Sequence, residues 1–226
     1  MVCLIFDADD TLWENNVLFE RVVGAYLDWV AHPTLDRTAA RAVLDEVERA
    51  NVAVHGYGST SFLRSLHDCF ERLSQRPASA AEAAEITELA RALTFDEVEL
   101  VPGVADTLTQ LGSRHELLLL TKGAPAEQQR KIDASGLAHH FRSLHIVPEK
   151  DVATYRSLVA DRRLTPATTW MIGNSPRSDI LPARAAGLGA VFIPNPHTWA
   201  LEHDELDESD AGVLHLKAFP QLVQHF

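Results

Sequence analysis

Short apolar runs recur along this chain, and stretches of helical periodicity separate them. Val2 to Phe6 is the first run, and it stops at Asp7. Its length suits a strand buried on both faces, as in a parallel sheet. Similar runs follow at Leu117–Leu120, Leu144–Val147, Trp170–Ile172 and Ala190–Ile193. Between them, apolar positions at helical spacing predict helices over Val104–Leu111, Ala126–Leu137, Val152–Ala160 and Ile180–Ala186. Strands alternating with helices predict an α/β fold built on a doubly wound parallel sheet of about five strands.

The stretch from Asn16 to Asp96 has a different rhythm. Phe19, Val22, Val23, Tyr26, Leu27 and Val30 form one apolar stripe at a period of 3.6, and no strand pattern appears. Ala40–Val54, Thr60–Leu73 and the Ala/Glu-rich Ser79–Leu93 read as further helices, with Pro77 as a break before the last. The expected organisation is therefore an α/β core of residues 1–15 and 97–226, interrupted by an all-helical insert of residues 16–96.

Composition narrows the function. The chain has 226 residues, is 46% hydrophobic and carries a formal net charge of −12. A chain of this length buries a sizeable core without disulfides or structural metals. An acidic surface repels nucleic acid and anionic lipid, so neither is an expected partner. A phosphorylated substrate would have to be attracted by a bound cation and a few local basic groups. Cys3 and Cys69, the two cysteines, sit in an apolar run and a helical pattern, as buried reduced thiols would. The apolar run after Met1 lacks the basic lead-in of a signal sequence, and no segment has the roughly 18 apolar residues of a membrane helix. A soluble, cytoplasmic protein is the expectation.

Parallel sheets bind ligands at the carboxyl ends of their strands. The first strand ends in Asp7-Ala8-Asp9-Asp10-Thr11, the second in Thr121-Lys122-Gly123, the third in Pro148-Glu149-Lys150, and the fourth in Gly173-Asn174-Ser175-Pro176-Arg177-Ser178-Asp179. Adjacent acids at a buried strand end repel one another, which a simple turn would not need. This series of four motifs resembles the haloacid dehalogenase superfamily, whose Rossmann-like core with a helical cap inserted after the first motif matches the organisation above. The tract from Ile172 to Pro194 resembles one bacterial subgroup of these enzymes.

The resemblance implies a magnesium-dependent phosphatase acting on a small phosphorylated metabolite through an aspartyl-phosphate. Asp7 would be the nucleophile and Asp9 the general acid, then the base. Thr121, with Lys122 and Gly123 in the same turn, would grip phosphate oxygens, although Lys122 also reads as a solvent-exposed lysine and Thr121 as a helix cap. Lys150 would neutralise charge on Asp7 and the transferring group. Mg2+ would be held by an oxygen of Asp7, the main-chain carbonyl of Asp9, and the fourth motif. That motif begins Gly-Asp in many relatives but Gly173-Asn174 here. Asn174 offers an uncharged oxygen, and Asp179 would supply the anionic one. His197, Trp199 and His203 lack the four-ligand spacing of a zinc site, and a loop packing Trp199 on the core is expected instead.

Other readings of the same residues are a phosphomutase or a non-enzymatic phospho-ligand-binding protein. Dehalogenation needs neither an acid two residues after the nucleophile nor magnesium, and phosphonate hydrolysis recruits a lysine from the insert, which has none. The insert would act as a lid, excluding water during reaction. Its turn His55-Gly56-Tyr57-Gly58-Ser59, with Arg64 beyond, offers His55, Tyr57 and Arg64 as specificity residues. Nothing in the sequence sets an oligomeric state.

Overall fold

The computed structural model describes residues 1–91, 93 and 97–226. It divides into two compact units, Met1–Asn16 with Phe95–Phe226, and Val17–Thr94.

The first unit is a six-stranded parallel sheet. Strands β1 (Cys3–Phe6), β2 (Glu116–Lys122), β3 (Ser143–Val147), β4 (Thr169–Gly173), β5 (Gly189–Phe192) and β6 (Val213–His215) run in the order β3-β2-β1-β4-β5-β6. Ile5 lies opposite Leu118 on one side and Met171 on the other, which fixes the register around the central strand. Alternate side chains of the strands face opposite ways. Leu4, Phe6, Leu117, Leu119, Ile172 and Val191 build one apolar layer, and Cys3, Ile5, Leu118, Leu120 and Met171 build the other.

Helices cover both layers, as a doubly wound sheet requires. Of the helices in chain order, α1 (Asn16–Val30), α2 (Arg37–His55), α3 (Ser59–Ser74) and α4 (Ala80–Ala90) precede those that flank the sheet. The flanking helices are α5 (Val104–Gly112), α6 (Pro125–Ser135), α7 (Val152–Arg162) and α8 (Leu181–Ala185). Val104, Leu108, Leu111 and Ile132 of α5 and α6 pack on the first layer, and Tyr155, Leu158 and Ala183 of α7 and α8 on the second. The expected five strands become six. Strand β6 is only three residues long, too short to stand out as an apolar run. A single π-helical turn, Pro176–Ile180, precedes α8, so the helix expected from Ile180 begins in altered geometry.

In the second unit, helices α1 to α4 enclose Val22, Tyr26, Leu44, Leu66, Phe70 and Ile86. Ser79 closes a capping box with Glu82 at the start of α4, which explains why the helix begins where it does. The boundary expected at residue 96 lies outside the described residues. No described helix is long and apolar enough to cross a membrane. Cys3 and Cys69 are both buried free thiols.

Candidate active site

The central strand β1 has β2 on one side and β4 on the other, so the chain crosses in opposite directions from it. The carboxyl end of such a switch point opens a crevice between the diverging connections. Asp7 extends β1 by one ladder bond, its N–H donating to the Ile172 carbonyl at 2.9 Å. The next residues turn sharply. The Ala8 carbonyl accepts from Leu12 N–H at 2.8 Å, and Asp10 adopts a left-handed backbone with φ of 62°. Asp10 then points its carboxylate at the start of α1, accepting N–H bonds from Asn15 and Asn16 at 2.9 and 3.0 Å. Burial raises the Asp10 carboxyl to about 7, against the pull of those two donors.

The turn aims Asp7 at Lys150. The buried Lys150 ammonium lies 2.5 Å from Asp7 Oδ1 and 2.6 Å from Asp179 Oδ1. Thus the first, third and fourth strand ends meet at one cation. Burial, then the neighbouring charge of Asp179, push the Asp7 carboxyl up to about 7, and Lys150 opposes both. Burial alone would lower the Lys150 value, but Asp179 and Asp7 hold it well above the ordinary lysine range. Asp179 is fully buried, and its other oxygen accepts from Ser175 N–H at 3.0 Å. A β-carbon on Gly173 would stand 2.1 Å from Asp179 Oδ2, so only glycine lets that carboxylate fold back onto β4.

Thr11 joins the first and fourth motifs. Its hydroxyl lies 2.9 Å from Asp7 Oδ2 and 3.1 Å from Asn174 Oδ1. Asp7 thus shares Thr11 with the Asn174 amide oxygen and shares Lys150 with Asp179, and these are hard oxygen donors of the kind that suits magnesium. Two buried carboxylates share one ammonium, leaving negative charge that a divalent cation would offset. These residues therefore fit the ion. Among the described residues, no three His, Cys, Asp or Glu side chains form a metal cluster by themselves. His197 and His203 are exposed, and His203 Nε2 lies 3.0 Å from the Thr198 carbonyl.

Asp9 is half-buried and held from three sides. Its Oδ1 accepts from Trp13 Nε1 at 2.8 Å, and its Oδ2 accepts from Lys131 Nζ at 2.9 Å and Gln128 Nε2 at 3.1 Å. Gln128 also donates to Thr121 Oγ1 at 2.5 Å, linking the first and second motifs. Thr121 does not cap the following helix, whose N-cap is Ala124.

Lys122 departs from the exposed lysine expected of it. Its side chain is 13% exposed, and Nζ pairs with Glu202 at 2.6 Å, with Ser178 Oγ at 2.7 Å and with Glu149 at 3.4 Å. The Gly123 N–H donates to the Val147 carbonyl at 3.1 Å, so the amide expected to face phosphate extends the sheet instead. In the second unit, His55 ends α2, Tyr57 lies in the turn before α3, and Arg64 lies on α3; His55 and Arg64 are exposed. Positive φ at Gly56 and Gly58 makes that turn.

The sequence assigns no role to Gln128, Lys131, Thr198 or Glu202, and Thr11 enters it only as the last residue of the first motif. Thr11 was legible in principle as the third fixed position of Asp-x-Asp-x-Thr. The others carry no motif.

A family model for haloacid dehalogenase-like hydrolases matches residues 1–187. The pyrimidine 5'-nucleotidase YjjG of Escherichia coli (strain K12) is 26% identical over 234 residues, covering 98% of this chain and 96% of that protein. A phosphoserine phosphatase of Thermus thermophilus is 34% identical over 82 residues, only 34% of this chain and 33% of that protein. A haloacid dehalogenase-like hydrolase from Xanthomonas campestris superposes with a TM-score of 0.85 at 26% identity, over 100% of this chain and 94% of the other. L-2-haloacid dehalogenase from Xanthobacter autotrophicus shares the fold, with a TM-score of 0.66 at 17% identity, over 99% and 98% of the two chains.

Proposed function

Because the chain belongs to the haloacid dehalogenase-like hydrolases, we propose that it hydrolyses the phosphate monoester of a small metabolite, with Asp7 as nucleophile and Mg2+ as cofactor. The observation that carries this reading is the pair of acids at the end of β1. Asp7 is held by Lys150, and Asp9, two residues on, is held separately by Trp13, Gln128 and Lys131. Two carboxylates with different partners suit two roles. Displacement of a halide would require only the first.

An oxygen of ionised Asp7 attacks phosphorus, and the bond to the leaving oxygen breaks as Asp9 protonates it. The product is an acyl phosphate on Asp7. Water then attacks that phosphorus, giving its proton to Asp9 and restoring the Asp7 carboxylate. Lys150 lies within hydrogen-bond reach of the attacking carboxylate and offsets charge that builds on the transferring group. Thr121, at the end of β2, offers its hydroxyl to a phosphate oxygen. Bound Mg2+ supplies the remaining positive charge against Asp7, Asp179 and the phosphate.

The test is turnover of p-nitrophenyl phosphate with magnesium and with chelator, for wild type and Asp7→Asn. Magnesium-dependent turnover should disappear in the variant, a loss of at least about a thousandfold given the cost of removing a nucleophile. Turnover that persisted in Asp7→Asn would overturn the mechanism.

A further inference from the structure

Thr121 is the hydroxyl that the proposed reaction offers to a phosphate oxygen. An ionised phosphate oxygen only accepts, so Thr121 grips it with its single hydroxyl proton. What the hydroxyl does with its lone pairs decides whether that proton is available.

The structure places Gln128, which is 2% exposed, beside that hydroxyl. Gln128 lies in the first turn of α6, and helical side chains lean toward the N-terminus, so it reaches back toward the end of β2. Gly123 leaves room for it: φ there is 146°, and a β-carbon would stand 3.0 Å from Gln128 Cγ. One nitrogen, Nε2, meets two oxygens, Asp9 Oδ2 at 3.1 Å and Thr121 Oγ1 at 2.5 Å. A hydroxyl by itself accommodates either end of an amide, because it both donates and accepts. The Asp9 carboxylate removes that freedom. Its Oδ1 accepts from Trp13 Nε1 at 2.8 Å and its Oδ2 from Lys131 Nζ at 2.9 Å, and neither of those partners can accept in return. An amide oxygen turned toward this carboxylate would set two acceptors against each other. The NH2 therefore faces Asp9, and its second proton goes to Thr121 Oγ1.

We propose that Gln128 is a positioning residue for phosphate: its amide donates to Thr121, so the hydroxyl proton points away from it and is kept for a phosphate oxygen. The inference rests on the phosphatase reading above. Thr121 and Asp9 are neighbours, since both lie within hydrogen-bond reach of one nitrogen. Without the amide, the Asp9 carboxylate competes with phosphate for the Thr121 proton. The two protons of one NH2 thus keep the acid and the phosphate-binding hydroxyl from bonding each other.

The experiment measures binding of inorganic phosphate to the full chain with Mg2+, by calorimetry, an event that needs no proton from Asp9. Gln128→Met, which keeps most of the side-chain volume, is made beside wild-type Thr121, Thr121→Val and Thr121→Ser. Beside wild-type Thr121 it should weaken binding about tenfold, the scale of one hydrogen bond to a charged group. In Thr121→Val, with no hydroxyl to orient, the same change should cost less than about twofold. Thr121→Ser keeps a hydroxyl and should restore the full cost. Gln128→Leu should repeat the pattern, which keeps the test open if one variant folds poorly. Equal binding by wild type and Gln128→Met would overturn the inference while leaving the phosphatase reading intact. An equal loss in Thr121→Val would also overturn it, since Gln128 would then act through Asp9 or through packing. A wild type that neither binds phosphate nor turns over p-nitrophenyl phosphate would remove the phosphatase reading and the inference together.

Discussion

Lys131 is almost fully buried, and its ammonium meets Asp9 Oδ2 at 2.9 Å, Asn15 Oδ1 at 2.7 Å and Glu127 at 3.7 Å. A cation so placed fixes the rotamer of the proposed acid through a charge-assisted hydrogen bond. Lys131→Met keeps most of the side-chain volume and removes the charge. For the proposed reaction, kcat/KM on alkyl phosphates such as sugar phosphates should fall by about a hundredfold, the lower range for general acid–base catalysis. On p-nitrophenyl phosphate, whose leaving group needs no proton, the loss should be severalfold smaller. Equal losses on both substrates would detach Lys131 from the acid's role. Neither this lysine nor Gln128 was legible in the sequence, whereas Asp7, Asp9, Thr121, Lys150 and Asp179 were. Each of those five stands at or just beyond the carboxyl end of a strand, where a ligand is expected. Lys131 lies inside α6, in Glu-Gln-Gln-Arg-Lys, a run that reads as a solvated polar face. Only the packing of α6 on the sheet turns part of that face inward, burying Glu127, Gln128 and Lys131.

At the scale of elements, the segment after β5 does what its sequence does not announce. Glu202, in a short 3-10 turn, accepts from Lys122 at one oxygen and from Ser175 Oγ at 2.6 Å at the other, joining the second and fourth motifs. Burial alone would raise the Glu202 carboxyl, but Lys122 and the hydroxyls of Ser175 and Ser178 hold it below the ordinary value. A depressed folded value means stability that is present above the carboxylate's unfolded pKa and lost as pH falls through the folded one. Glu202→Gln should therefore cost about 3 kcal/mol near neutrality, as expected when one partner of a buried pair is removed. The gap to wild type should close in acid. Thermal melts across pH would measure it, and a gap independent of pH would contradict the assignment. Replacing both partners, Lys122→Met with Glu202→Leu, should recover much of the loss. The sequence hid this pair because an isolated glutamate in an acidic tail and a lysine in a turn each look solvated. It hid β6 because three residues are too few to show alternation, and that strand depends on β5 for its definition. The longer buried strands were plain because both of their faces are apolar.

The whole molecule carries a formal net charge of −12, yet three of its four lysines, Lys122, Lys131 and Lys150, pair with carboxylates that follow the sheet's strands, among them Asp7, Asp9, Asp179 and Glu202. Their charge is matched locally, so the crevice resists the repulsion that a bare cluster of acids would suffer. The second unit has a different basis for stability: an apolar core in Val17–Thr94 that uses none of this chemistry. Leu66 is fully buried there, and its carbonyl accepts from the Tyr26 hydroxyl at 2.9 Å. Leu66→Ala should destabilise that core by about 2–5 kcal/mol, the range for a leucine cavity. If the two units open as separate cooperative bodies, amide exchange should accelerate by about thirtyfold or more across α1 to α4. Protection in β1, β2 and β4 should be retained. Hydrogen-exchange mass spectrometry of the full chain reads both at once. An equal loss of protection in the sheet would mean that the units unfold as one, and that the insert's core also stabilises the site.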